Sequence, residues 1–326
     1  MRFLILGGGL QGSACAYDLL RQDDVDGVTI ADLVHRDVDF LPDDDDRLIR
    51  RTVDFTDEPA VRDLMEANDV ALSAAPYYLN ADLARWAVAS GCDYSDLGGN
   101  TEIVFEQLDL GPAAEEAGCT LIPDVGLAPG LVNVLAVEGA RRLDEAEEVM
   151  MYVGGLPQRP HPPLDYQVVY SLEGTLDYYT TPSWIVRNGE RLQVEALSEV
   201  EQLEFEGLGT LEAFHTGGGA STLPWHYEGE VDRLAYKTLR YPGHADLMRS
   251  IRELGLLSQE EIELDGARVA PRDLFMACVA PHLKRPDEPD LVVLKVVARG
   301  WRGDMATTLT WDLLDLEDPS TGITAM

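Results

Sequence analysis

The chain has 326 residues, 45% of them hydrophobic, and a formal net charge of −34, a length that suggests about two domains able to bury cores of their own. So large a negative charge repels phosphate backbones and anionic bilayers, which disfavours nucleic acid and membrane surfaces as partners. No run approaches the ~18 apolar residues of a membrane helix, and the glycine-interrupted opening Met1–Gly9 is too short for a secretory segment, so a cytoplasmic location is expected.

The first predicted elements alternate strand and helix. Arg2–Leu6 is an apolar run of strand length, Gly7–Gly12 a turn, and Leu10–Leu20 carries apolar residues at helical spacing. Val28–Asp32 is a second short buried strand. Leu48–Phe55 follows, then a helix with Val61, Leu64 and Met65 on one face, the strand Val70–Ala75, a helix through Trp86–Ala89 and a strand after Gly91. This alternation predicts an α/β fold over residues 1–125: a Rossmann-type doubly wound parallel sheet with helices on both faces. The acidic run Asp43–Asp46 reads as a solvated loop.

Beyond Gly126 the strands lengthen and helices thin out, which predicts a second α+β substrate and dimerisation domain over residues 126–326. Strands are expected at Glu147–Val153, Tyr166–Leu172 and Trp184–Val194, and helices after Tyr241-Pro242-Gly243-His244 and near Pro271. Leu291–Trp301 and Met305–Leu316 read as a hairpin closed by Arg302-Gly303-Asp304.

The only lysines are Lys237, Lys284 and Lys295, and arginine supplies the other cations. Hydrated carboxylates resist salting out and short screening lengths mute their repulsion, so a surface adapted to concentrated salt is expected. An acidic surface without such adaptation is the alternative. Cys15, Cys92, Cys119 and Cys278 lie far apart, with no CxxC pair and no nearby histidine at zinc spacing. They read as reduced, mostly buried thiols, with no metal site encoded.

Gly7-Gly8-Gly9-Leu10-Gln11-Gly12 satisfies GxGxxG between a strand and a helix, with Asp32 about twenty residues further on at the end of the second strand. Gly7 permits the tight turn, Gly9 lets the backbone approach a pyrophosphate, and Gly12 lets helix and sheet pack closely. The helix N-terminus offers N–H groups to phosphates. The Asp32 carboxylate suits both hydroxyls of an adenosine ribose and repels a 2′-phosphate, so NAD is favoured as cofactor, while nearby Arg36 keeps NADP open. The small residues of Ser73-Ala74-Ala75-Pro76 suit a turn against the nicotinamide ribose, or simple punctuation of the chain.

The glycine turn, Ala75-Pro76, Cys92-Asp-Tyr-Ser-Asp-Leu-Gly-Gly99 and Asp124-Val-Gly-Leu-Ala-Pro-Gly130 together resemble the saccharopine dehydrogenase-like family. Asp177-Tyr-Tyr-Thr-Thr-Pro182 and Lys237-Thr-Leu-Arg-Tyr-Pro-Gly-His244 are similar to its lysine 6-dehydrogenase branch. The resemblance implies NAD-linked oxidation of an amine carbon of a small amino acid, hydrolysis of the imine, an active site between two domains, and a homodimer. Alternatives are a saccharopine- or carboxynorspermidine-type dehydrogenase, or a nucleotide-binding protein without catalysis. Members of the family continue past the equivalent of Thr321–Met326 into a helix that returns to the nucleotide domain, and this chain is expected to lack it.

An amino-acid substrate asks for a cation at its carboxylate and oxygens at its ammonium. Arg240 is the candidate carboxylate clamp and His244, with an ordinary pKa near ~6.5, the candidate proton carrier. Asp124 is placed to bind the ammonium, Tyr178 and Tyr179 to line the pocket, and Lys237 to act as acid or base. Each has a structural alternative: a surface ion pair for Arg240, a helix cap for His244, a turn hydrogen bond for Asp124 and strand packing for the tyrosines.

Overall fold

The computed structural model describes residues 1–36, 38–42, 44–169, 171–285 and 288–326, so the Asp43 end of the expected acidic loop lies outside the described residues. The chain divides into two units, Met1–Leu131 with Pro319–Ile323, and Val132–Asp318 with Thr324–Met326. No helix among the described residues is long and apolar enough to cross a membrane.

The first unit runs β1 (Arg2–Leu6), α1 (Leu10–Leu20), β2 (Gly27–Asp32), β3 (Leu48–Thr52), α2 (Glu58–Glu66), β4 (Val70–Ser73), α3 (Asn80–Ser90), β5 (Asp93–Asp96), α4 (Thr101–Leu108), α5 (Gly111–Ala117) and β6 (Leu121–Ile122). The six strands are parallel in the order β3-β2-β1-β4-β5-β6. A strand covered on both faces must be apolar throughout, and Leu4, Ile5 and Leu6 of the inner strand β1 are fully buried. Leu4 and Leu6 pack with Val61, Met65 and Leu83 on one side, and Ile5 with Ala16, Leu20 and Ile30 on the other. Each of the larger side chains contributes roughly 1.5–3 kcal/mol by leaving water. Two helices, α2 and α4, start where the sequence supplies acceptors: Asp57 receives the Ala60 N–H and Asn100 those of Glu102 and Ile103. Strand order reverses between β1 and β4, so a crevice for a dinucleotide opens at their carboxyl ends.

In the second unit follow α6 (Leu131–Arg141), β7 (Glu145–Pro157), α7 (Leu172–Thr180), β8 (Ser183–Arg187), β9 (Glu190–Val194), β10 (Glu201–Phe205), β11 (Gly209–His215), α8 (Leu223–His226), β12 (Arg233–Arg240), α9 (His244–Glu253), β13 (Ile262–Leu264), β14 (Ala267–Val269), α10 (Pro271–Leu283), β15 (Asp290–Arg302) and β16 (Met305–Leu316). Its main sheet has the order β10-β11-β12-β7-β15-β16, with the β8–β9 hairpin joined at β12. Among the described strands of this sheet, only β12 and β7 run parallel.

Two sequence expectations change here. The described residues of Tyr166–Leu172 form no strand: Ser171 accepts the Gly174 N–H and starts α7, which places Tyr178 and Tyr179 on a helix. The expected strand Trp184–Val194 is folded into a hairpin at Asn188-Gly189, both with positive φ, the pair that suits a tight turn between twisted strands. At the end of the chain Pro319–Ile323 belongs to the first unit without forming a helix, and the Ala325 and Met326 N–H groups donate to the buried Asp290 carboxylate at 2.8 and 3.3 Å.

Candidate functional site

In the first unit the glycine turn is built by contact. Gly7 has φ +115°, and a Cβ there would sit 2.7 Å from the Ala74 carbonyl oxygen, so the turns after β1 and β4 touch through bare backbone. A Cβ at Gly12 would overlap the Gly7 carbonyl, which locks α1 onto the turn. At Gly9, the N-cap of α1, a Cβ would meet nothing within 4 Å, and no acidic residue stands in the first helical turn. Leu10 is exposed and Gln11 half-buried beside it. A helix start without a local carboxylate fits a pyrophosphate.

Asp32 ends β2 beside this turn. Its Oδ2 accepts the Gly8 N–H at 2.6 Å and its Oδ1 the Val34 N–H at 3.2 Å. A carboxylate has about four lone-pair sites, so both oxygens keep capacity for ribose hydroxyls. Arg36 is exposed on the segment that follows. These residues fit a pyridine dinucleotide, with the adenosine half over β1 and β2 and the nicotinamide half over β4 to β6.

Ala74, Ala75 and Pro76 form the turn after β4, where the Ala75 N–H points to Ser73 Oγ at 3.4 Å. Asp124 follows β6 with φ +60°, and its Oδ1 is buried under Gly98, where a Cβ would overlap it. Beneath both lies Asp96, a residue within a quoted motif but not singled out from the sequence. It is 0% exposed and receives the N–H groups of Gly98 and Asp124 and the side chain of Gln107. Burial raises its carboxyl above the usual range.

In the second unit the structure brings Arg240, His244 and Tyr179 together and adds Tyr166. Arg240 Nε donates to the Tyr179 hydroxyl at 3.0 Å, and its guanidinium lies 4.6 Å from the centre of the Tyr166 ring. Tyr179 is 2.9 Å from His244 Nε2, and His244 Nδ1 is 2.9 Å from the Leu164 carbonyl. A carbonyl only accepts, so Nδ1 carries the proton and Nε2 accepts from Tyr179. Every proton in this relay is thereby assigned.

Both of these residues are buried. His244 is 3% and Arg240 4% exposed. Desolvation, with Arg240 adding repulsion, pushes His244 down to about 3, so it is neutral at physiological pH rather than poised near ~6.5. The cavity that His244 borders with Tyr179, Leu164, Leu176 and Met248 has about 10 Å³, room for one water and not for an amino acid. Glu212, which the sequence did not flag, lies opposite Arg240 in the ladder and accepts the Gly243 and Ala245 N–H groups, capping α9 from the neighbouring strand.

Lys237 stands apart. Three residues before Arg240 on a strand, it projects from the opposite face, in a row with His215 and Tyr152. Its ammonium bonds the Glu199 carbonyl at 2.7 Å and Glu201 at 2.8 Å. Tyr178 is half-buried on α7, its carbonyl receiving the Gly217 N–H, and Asp177 of the same motif pairs with buried Arg272 at 2.7 Å. Of the cysteines, Cys92 and Cys119 are buried, Cys15 is half-buried and Cys278 exposed.

Comparison with known proteins finds two family models: one described as the saccharopine dehydrogenase NADP binding domain matches residues 3–122. The other, the saccharopine dehydrogenase C-terminal domain, matches residues 126–326. The chain is 26% identical over 270 residues to the mitochondrial alpha-aminoadipic semialdehyde synthase of Rattus norvegicus, covering 79% of this chain but 29% of that protein. Saccharopine dehydrogenase [NADP(+), L-glutamate-forming] of Saccharomyces cerevisiae is 23% identical over 312 residues, 92% of this chain and 68% of that one. Among solved structures, apo saccharopine dehydrogenase (L-Glu forming) from the same yeast superposes with a TM-score of 0.76 at 18% identity, covering 98% of this chain and 86% of that one. The homospermidine synthase of Legionella pneumophila in complex with NAD gives 0.63 at 14% identity, covering 95% and 77%.

Proposed function

The chain belongs to the saccharopine dehydrogenase family, and we propose that it oxidises an amine carbon of an amino acid with NAD as the acceptor. In its most specific form the substrate is lysine and the reaction lysine 6-dehydrogenation, giving 2-aminoadipate 6-semialdehyde and ammonia. The observation that carries the cofactor half is Asp32, whose carboxylate stands at the end of β2 within 2.6 Å of the glycine turn. A 2′-phosphate there would face a fixed negative charge. In support of the product, the rat relative is named for alpha-aminoadipic semialdehyde.

The division of labour follows from the first unit. The N–H groups at the start of α1 hold the pyrophosphate, Asp32 holds the adenosine ribose, and the Ala74-Ala75-Pro76 turn borders the nicotinamide ribose. The nicotinamide, when bound, supplies hydride acceptance. Asp124 offers its carboxylate to the substrate ammonium. Arg240, His244 and Tyr179 are assigned to the core of the second unit, where they fix the start of α9. A second reading, oxidation of saccharopine, is favoured by the name of the yeast relative, which also names NADP.

The test is formation of reduced nucleotide from NAD or NADP with lysine, ornithine and saccharopine in dilute and molar salt. Turnover with lysine and NAD supports the proposal. Nucleotide binding without turnover on any of the three replaces it with a non-catalytic nucleotide-binding role.

A further inference from the structure

The parallel ladder between β5 and β6 consists of two partner pairs, Tyr94 with Leu121 and Ser95 with Ile122. Beyond it the side chain of Asp96 bonds the backbone of Asp124. Asp96 Oδ1 accepts the Gly98 N–H at 2.8 Å and the Asp124 N–H at 3.2 Å, and the Asp96 carbonyl accepts the Val125 N–H at 2.8 Å. Its other oxygen is held by Gln107 Nε2 at 2.6 Å. The turn after β4 joins the same network: the Leu97 N–H bonds the Ser73 carbonyl at 3.2 Å, and Ser73 Oγ and the Tyr94 hydroxyl both bond Asn80 Oδ1, at 2.8 and 3.3 Å. Ser73, Asn80, Tyr94, Asp96 and Gln107 are all buried.

We propose that Asp96 is a positioning residue for the nicotinamide end of the nucleotide site, locking the turn that contains Gly98 against the turn that contains Asp124. This rests on the reading above that the nucleotide lies across the carboxyl edge of the sheet. A buried carboxylate is costly unless its lone pairs are filled, and here the filling donors are the backbones of two turns at that edge. Gly98, at φ +78°, has no room for a Cβ between itself and Asp124 Oδ1 and Pro129. The two turns therefore move as one piece while Asp96 holds them, and Asp124 keeps its place.

The test compares NAD with ADP-ribose, which has the adenosine and pyrophosphate but lacks nicotinamide, by titration calorimetry. Asp96→Ala is expected to weaken NAD by about tenfold more than ADP-ribose. Asp96→Asn is expected to stay within about twofold of wild type for both. Its Oδ1 keeps the two backbone donors, and Gln107 can turn its amide so that Oε1, unpartnered among the described residues, accepts from the new amide. Gly98→Ala, which parts the turns while leaving the Asp96 carboxylate in the chain, is expected to repeat the alanine result and decides the matter if Asp96→Ala does not fold. Equal losses for both ligands, no loss, or an asparagine variant as impaired as alanine overturns the proposal. A wild-type protein that binds neither ligand removes the nucleotide reading and the proposal with it. One that binds both but oxidises no amine removes the proposed reaction and leaves this inference to the calorimetry.

Discussion

Tyr179 directs its phenolic proton at Nε2 of His244 across 2.9 Å, while the other nitrogen of the same ring donates to the Leu164 carbonyl. His244 therefore has no acceptor to spare for a second proton, and its folded-state value of about 3 lies far below the ~6.5 of an exposed imidazole. The unfolded chain takes up a proton that the native protein refuses. The stabilisation from this group is present above ~6.5 and is lost as pH falls toward 3, by about 1.4 kcal/mol per pH unit. Urea unfolding between those limits should show an acid limb shallower by that amount in His244→Gln, which keeps a donor and an acceptor but does not titrate. Parallel limbs would mean that His244 takes up its proton in the folded state.

Asp32 does two things that its variants separate. It holds the Gly8 N–H, and it presents a negative charge where NADP would carry a phosphate. Asp32→Ala loses both and should weaken NAD by about tenfold or more. Asp32→Asn keeps an acceptor for Gly8 and should chiefly narrow the preference for NAD over NADP. Isothermal titration of both nucleotides reads the difference; an unchanged preference in both variants rules Asp32 out as its source.

Lys237 is expected to matter for stability and not for nucleotide affinity. Replacing it with methionine removes the ammonium from the Glu199 carbonyl and from Glu201, at a cost of about 1–3 kcal/mol. Arginine should not restore the loss, because a planar fork cannot fill the place of a compact ammonium closed in by two acceptors. Denaturant midpoints of the two variants check this, and a fully stable Lys237→Arg protein would contradict it.

The net charge of −34 leaves few cations to neutralise the carboxylates. Screening shortens their mutual repulsion, so the melting temperature should rise as potassium chloride is raised from millimolar to molar. A maximum in salt-free buffer would argue that the acidic surface is not a salt adaptation.

The cofactor half of the site was legible because its signal is local: Gly7 to Gly12 and Asp32 lie on consecutive elements, and the chemistry of a bare turn needs glycine at fixed offsets. The second unit was harder for physical reasons. The motif around Arg240 and His244 marked the right place, but α7 and the Leu164 segment close over it from elsewhere in the chain, and burial turns an expected proton carrier into a neutral core residue. Asp96 and Glu212 were missed because their partners are Asp124 and the start of α9, contacts that no local spacing encodes. Lys237 could have been separated from Arg240 in advance, since positions three apart on a strand face opposite ways.

Product analysis tests the proposed reaction most directly: ammonia and glutamate are quantified beside reduced nucleotide when the protein is given NAD with lysine or with saccharopine. The expected result is ammonia and reduced nucleotide in equal amounts from lysine, with no glutamate. Reduced nucleotide from saccharopine alone, accompanied by glutamate and no ammonia, would contradict it.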